Sequence, residues 1–200
     1  KQYPSSDRLP SITVVIPAYN EELTIARCLD SVYATQYKNL SVIVVSDGSS
    51  DKTNSIIRRY KRDHSLLSLR LIALRKNRGK DGAMNYAIKK YVSSKLTMIV
   101  DADVTLAKDS LEKVTDHFKD KQVIGLATNV RISEDKAILS IIQRIEFMVG
   151  FFHKKFFDAT RSEFIIGGQG SCYRTIAIQR AGYFPDNMQT EDIALSINIL

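Results

Sequence analysis

Four short runs of β-branched and aliphatic residues recur along the first half of this 200-residue chain: Ile12–Ile16, Leu40–Val45, Leu69–Leu74 and Leu96–Val100. Between them lie segments with apolar residues at helical spacing: Ile25, Leu29 and Val32; Ile56, Ile57 and Tyr60; then Gly82 to Tyr91. Apolar runs of this length suit strands buried on both faces, and the intervening helices supply the cover. The alternation predicts an α/β fold, a Rossmann-like, mostly parallel sheet flanked by helices, in a single domain. Such sheets bind ligands outside the carboxyl ends of their strands. Pro17-Ala18-Tyr19-Asn20, Ser46-Asp47-Gly48 and Asp101-Ala102-Asp103 close three of the runs. Polar clusters far apart in sequence are thus expected to share one edge in space.

The second half is less regular. Leu106 to Phe118 reads as a helix, and Val123 to Val130 as a strand. Ile138 to Phe157 is amphipathic and rich in Phe and Ile, interrupted by Arg144, Glu146, His153, Lys154 and Lys155. This pattern fits first a helix packed on the core, with a helix lying on a membrane surface, its cations toward anionic lipid, as the second reading. No stretch of about 18 uncharged apolar residues occurs. Lys and Arg number 29 against 22 Asp and Glu, a net charge of +7, which points to an anionic partner. The basic residues are scattered rather than striped among aromatics, which argues against nucleic acid. Cys28 and Cys172 form neither a disulfide framework nor a zinc pattern, so a reducing compartment is expected. The chain starts at Lys1 with no leader-like segment and stops at Leu200 inside an apolar-periodic run. It is therefore expected to be a piece of a longer protein, with 1–11 a linker and 12–200 a domain cut at its C-terminus.

Each polar cluster admits two readings. Asp101 and Asp103, two apart beyond a strand, can hold a hard divalent cation through oxygen ligands, or simply turn the chain and cap a helix. Asp47 can accept from an N–H donor such as a nucleobase while Gly48 permits close backbone approach, or the segment is a turn with Asp51 capping the next helix. Asn20 offers a cap for the helix containing Ile25, with Glu21 and Glu22 in its first turn. Asn77-Arg78-Gly79-Lys80-Asp81-Gly82 joins cations and glycines to a helix start, a plausible diphosphate contact or a solvated basic loop, without P-loop or dinucleotide spacing. Gly167 to Ser171 is a tight or ligand-approach loop. Thr190 caps a last helix, in which a carboxylate of Glu191 or Asp192 can serve as a general base.

Taken in order, these clusters resemble the signatures of family 2 glycosyltransferases. Val14-Val15-Ile16-Pro17-Ala18-Tyr19-Asn20-Glu21, Val44 to Thr53, Gly79-Lys80 with Ala83 and Asn85, Asp101-Ala102-Asp103 and Thr190-Glu191-Asp192 carry the resemblance, from about Ile12 to Leu200. Gly182-Tyr183-Phe184 and the run Asp186 to Ile193 are most similar to processive polysaccharide synthases, in particular those making poly-N-acetylglucosamine. The resemblance implies a GT-A fold, a UDP-sugar donor, and Mg2+ or Mn2+ as cofactor. It implies donor contacts at Pro17, Ala18, Tyr19, Glu21, Asp47, Lys80, Asp101, Ala102 and Asp103, with Asp103 on the metal. It gives Asp192 the role of base, with Glu191 beside it, and an acceptor site at Gly168, Gln169, Gly170 and Ser171. The implied partners are a growing β-linked polysaccharide and a membrane, with the catalytic domain on the cytoplasmic side and no nucleic acid. A UDP-glucose-using β-glucan synthase, a non-processive transferase of the family and an inactive UDP-sugar-binding module are the alternatives. Two departures stand out: Ser46 replaces the first Asp of a common Asp-Asp pair, and the chain contains no Trp, hence no Gln-x-x-Arg-Trp motif.

Overall fold

The computed structural model describes residues 9–129, 138–160, 165–167, 169–185 and 190–199. Strands β1 (Ile12–Ala18), β2 (Leu40–Asp47), β3 (Leu69–Leu74) and β4 (Leu96–Ile99) alternate with helices α1 (Ile25–Ala34), α2 (Thr53–Asp63) and α3 (Gly79–Tyr91). Next come α4 (Ser110–His117), β5 (Gly125–Leu126), α5 (Ile138–Ala159), β6 (Cys172–Arg174), α6 (Thr175–Arg180) and α7 (Glu191–Ile199). The sheet order is β3-β2-β1-β4-β6-β5. The first four strands are mutually parallel, and β6 runs antiparallel to both β4 and β5. The chain builds outward from β1 through β2 to β3, then crosses by α3 to the other side of β1. That reversal puts the topological switch point between β1 and β4, where doubly wound sheets bind ligands.

Side chains alternate across the central strands, so each sheet face has its own core. Ile12, Val14, Ile16, Val42 and Val44 pack with Leu29 and Val32 of α1, Ile57 of α2 and Leu111 of α4. Val15, Ile43 and Val45 face the other way, onto Ala83, Met84, Ala87 and Ile88 of α3, with Ile178, Phe184 and Leu195. Helix α3 thus forms one wall of the crevice and carries Lys80 in its first turn.

Several boundaries differ from the sequence reading. Pro17 continues β1 instead of closing it. Val15 accepts from Val100 at the last bond to β4 (3.1 Å), and Pro17, two residues on, faces the same side beyond that bond, so its missing N–H costs nothing. Helix α1 begins at Ile25 rather than directly after Asn20, α3 begins three residues early at Gly79, and α4 starts at Ser110 rather than Leu106. The strand expected over 123–130 shrinks to Gly125–Leu126, with residue 130 outside the described residues, and β6 was not anticipated. Helix α5 leaves Ile142, Ile145, Met148, Phe152 and Phe156 largely exposed, the last two by 63% and 65%. Among the described residues no helix is long and apolar enough to cross a membrane.

Candidate active site at the carboxyl edge of the sheet

The loops after β1 and β2 are stitched into one platform. The Asn20 N–H donates to Ser49 Oγ (3.1 Å) and the Ser50 N–H to Asn20 Oδ1 (2.9 Å). The Glu21 N–H donates to Thr53 Oγ1 (2.8 Å), while Asp51 accepts from the amides of Glu22 (3.0 Å) and Thr53 (3.0 Å). Asn20 therefore bridges two loops and does not cap α1; its φ of 56° is the left-handed conformation that Asn tolerates. Asp51 does receive the first amide of α2, as the sequence suggests. Pro17, Ala18, Tyr19 and Glu21 lie on this platform, Ala18 buried and Tyr19 exposed. The Glu21 carboxylate accepts from the Thr24 hydroxyl at 2.5 Å.

Asp47 ends β2 almost fully buried, and its carboxylate accepts the Arg78 N–H at 2.8 and 3.1 Å. Gly48, at φ +75°, lies against the backbone of Asn77: a Cβ there would stand 2.9 Å from that amide nitrogen. The close approach foreseen at Gly48 is thus made by the chain itself. It locks the β2 and β3 loops together and aims the N-terminus of α3 at the crevice. From there Lys80 Nζ reaches Asp101 Oδ1 at 2.8 Å across the switch point. Asp103 is exposed just beyond, whereas Ala102 is packed into the core and presents only its backbone outward. Beneath them the Cys28 Sγ lies 3.7 Å from the Asp101 carbonyl oxygen. Burial first, then the carboxylates of Asp103, Asp101 and Glu21, push this thiol up to about 12.

The C-terminal elements close the site. A cavity of about 110 Å³ is lined by Lys80, Met84, Ile99, Asp101, Gln169, Ser171, Phe184 and Asp192. Asp192 stands in the first turn of α7, its Oδ1 accepting the Ile193 N–H at 2.9 Å. Ser171 is held at the β4 edge, where its carbonyl accepts from Ile99 (2.8 Å), and Gly170 turns the loop at φ +79°. The expected Gly168 and the Glu191 side chain lie outside the described residues, as do 186–189. Five candidates from four segments, Lys80, Asp101, Gln169, Ser171 and Asp192, thus meet in one cavity. Asp47, Tyr19, Glu21 and Asp103 lie at the same sheet edge without lining it. A larger hollow of about 440 Å³ sits at the opposite end of the sheet, between Ser41, Leu69 and Tyr91, and contains none of the candidates.

Met84, Ile99 and Phe184 are the apolar lining that motif reading did not assign. Met84 was recoverable, being one turn after Lys80 on the same helix face. Phe184 stands in the Gly182-Tyr183-Phe184 motif, but its place in the lining was not legible there: its backbone is held by the buried amide of Asn85, which donates to the Phe184 carbonyl (2.7 Å) and accepts its N–H (3.0 Å), 99 positions away in sequence.

Among the described residues no three His, Cys, Asp or Glu side chains form a ready-made metal cage. The hard oxygens of Asp103 and Asp101 nonetheless fit Mg2+ or Mn2+, which commonly take one or two carboxylates and complete their shell with phosphate and water oxygens. Chemically, the edge offers carboxylates for a cation, a lysine for an anion, and a separate carboxylate, Asp192, to accept a proton.

Known proteins share both the sequence and this architecture. The chain is 33% identical over 193 residues to poly-beta-1,6-N-acetyl-D-glucosamine synthase of Staphylococcus aureus, covering 95% of this chain and 46% of that protein. The Staphylococcus epidermidis synthase is 32% identical over 192 residues, 94% of this chain and 45% of its own. The chain therefore spans about half the length of these curated relatives. A mannosyltransferase from Pyrobaculum calidifontis, solved in complex with GDP-Man and Mn2+, superimposes with a TM-score of 0.80 at 26% identity, covering 98% of this chain and 54% of that one. Staphylococcus aureus TarS residues 1–349, solved with UDP-GlcNAc, shares the fold at a TM-score of 0.69 and 18% identity, covering 94% and 53%. These neighbours are GT-A glycosyltransferases, and the mostly parallel sheet described above is that fold. The Glycosyl transferase family 2 profile matches residues 13–180, nearly the whole described sheet with its strand-end clusters, and the chain accordingly belongs to glycosyl transferase family 2.

Proposed function

We propose that this chain transfers N-acetylglucosamine from UDP-N-acetylglucosamine to a growing β-linked polysaccharide, with inversion at the anomeric carbon. The observation that carries the reading is the cavity in which Lys80, Asp101 and Asp192 meet at the switch point between β1 and β4. The relatives that make poly-beta-1,6-N-acetyl-D-glucosamine support the choice of sugar and product.

At about 110 Å³ the cavity is far smaller than a site enclosing a whole nucleotide sugar, so it suits the reacting end of the donor. The nucleoside then lies along the platform of Pro17, Ala18, Tyr19, Glu21 and Asp47, where Asp47 has lone pairs beyond those given to Arg78. Mg2+ or Mn2+, held by Asp103 with Asp101 nearby, would supply charge neutralisation to the departing diphosphate. Lys80, paired with Asp101, adds a second positive charge on the same side. Asp192 takes the proton of the acceptor hydroxyl as that oxygen bonds to the anomeric carbon and the bond to the UDP oxygen breaks. Attack from the face opposite the leaving group converts an α-linked donor into a β-linked product, through an oxocarbenium-like transition state. Gln169, Gly170 and Ser171 edge the acceptor side. For the whole protein this reading includes a place at the membrane with the domain on the cytoplasmic face, where the net charge of +7 suits anionic lipid.

The test is transfer from radiolabelled UDP-GlcNAc, UDP-glucose and GDP-mannose by the intact protein and its Asp192→Asn variant. Incorporation from UDP-GlcNAc alone, lost by about 10³-fold or more in the variant with UDP binding kept, is the expected result. Preference for another donor overturns the sugar assignment, and turnover retained in Asp192→Asn removes Asp192 as base.

A further inference from the structure

Asp192 is placed by two residues that none of the strand-end motifs contains. Ser196, one turn along α7, is 1% exposed. Its hydroxyl donates to the Asp192 carbonyl (2.7 Å) and accepts the N–H of Ile166 (2.9 Å) from the loop before β6. A serine that bonds back to the preceding turn usually weakens a helix slightly; here the same hydroxyl also accepts the Ile166 N–H, which ties the loop to the first turn of α7. The loop is anchored from two further sides: Tyr173 Oη donates to the Ile166 carbonyl (2.5 Å) and Lys154 Nζ to that of Gly167 (3.3 Å).

Gly167, next in the loop, is buried against the Asp192 side chain. A Cβ at 167 would stand 2.7 Å from Asp192 Oδ2 and 3.2 Å from its Cγ. Its φ is not in the left-handed region, so alanine could adopt this backbone; only the space is lacking. The Asp192 carboxylate therefore rests on the bare Cα of Gly167, at a height that Ser196 sets by clamping the loop to the helix.

We propose that Gly167 and Ser196 are positioning residues that hold the Asp192 carboxylate in line with the reacting end of the donor. The inference rests on the reading of Asp192 as the base. Neither residue lines the cavity, and neither is a candidate donor contact, so disturbing them moves the base while leaving the donor platform intact.

The experiment compares kcat and KM for UDP-GlcNAc, UDP affinity and binding stoichiometry by calorimetry, and Tm for Gly167→Ala, Ser196→Ala, Ser196→Thr and Asp192→Asn in the intact protein. Displacing a reacting group by about 1 Å can cost on the order of 100-fold. The expected result is a kcat about 10- to 100-fold lower for Gly167→Ala and Ser196→Ala, with UDP affinity within about twofold, full stoichiometry, and recovery of most of the rate in Ser196→Thr, which keeps the hydroxyl. Unchanged kcat in Gly167→Ala overturns the proposal, since that variant introduces the clash without removing any hydrogen bond. Loss of UDP binding in step with kcat also overturns it, because the role would then be structural. Asp192→Asn separates the two levels: if it retains turnover, the assignment of the base fails; if it is dead while Gly167→Ala and Ser196→Ala turn over normally, only the positioning role fails.

Discussion

Burial and local charge decide what single side chains at this edge can do. Burial, reinforced by Asp103, Asp101 and Glu21 and opposed by Arg27, pushes the Cys28 thiol up to about 12, and burial alone drives Cys172 higher. Both are free and buried, so neither thiolate forms at neutral pH. Mass spectrometry after iodoacetamide treatment at pH about 8 should show no alkylation of the folded chain and two modifications after unfolding. Asp51 shows the opposite balance. Burial pushes its carboxyl up, but the hydroxyl and amide of Thr53 and the amide of Glu22 outweigh it, leaving the group below its ordinary value. A depressed folded pKa stabilises the fold above the unfolded value of 3.8, and that contribution disappears as the pH falls through the folded value. The Tm difference between wild type and Asp51→Asn should therefore be largest near neutral pH and shrink toward pH about 3. The Lys80–Asp101 pair is different again. Lys80 is 44% exposed, so screening keeps its contribution to stability small, and its value lies in where it holds two charges.

The loops after β1, β2 and β3 act together because their amides are spent on one another. Asp47 takes the Arg78 N–H and Gly48 admits the Asn77 backbone, so the β2 loop sets where α3 starts. Gly48→Ala would combine a left-handed backbone with a Cβ 2.9 Å from a backbone nitrogen. We expect it to cost about 1–3 kcal/mol in denaturant unfolding and to weaken UDP binding, because the shift is passed to Lys80. At this scale the sequence was informative about existence and poor about ends. The four parallel strands and α1 to α3 follow from apolar period, since burial on one or both faces writes itself into every second or every third to fourth residue. The ends depended on partners. Asn20 looks like a cap in isolation, but Ser49 and Ser50 from another loop compete for it and win. Strand β6 carries no periodic signal in three residues and exists because β4 offers it a free edge.

For the whole molecule, ligand linkage is the direct test of the donor site. A ligand that binds only the folded chain at about 100 times its Kd adds about 2.7 kcal/mol, or roughly 5–10 °C in Tm for a chain of this size. UDP with Mn2+ or Mg2+ should produce such a shift, UDP without metal a smaller one, and Asp103→Asn should lose the metal-dependent part. An equal shift in Asp103→Asn would take Asp103 off the metal. Read alone, the sequence determined the fold class, the family and the edge of the sheet where the polar clusters gather. The ligand side follows from hydrophobic period and from the rule that loops after parallel strands share one edge, whereas the order β3-β2-β1-β4-β6-β5 was set only by packing. Tertiary structure alone decided which of those residues meet. Lys80 reaches Asp101 because α3 crosses the switch point, Asp47 turns to its own chain because Gly48 lets Asn77 in, and Asp192 sits where Gly167 has no side chain. Each of these contacts joins residues 21 to 31 positions apart, and no local pattern encodes a distance that only packing sets.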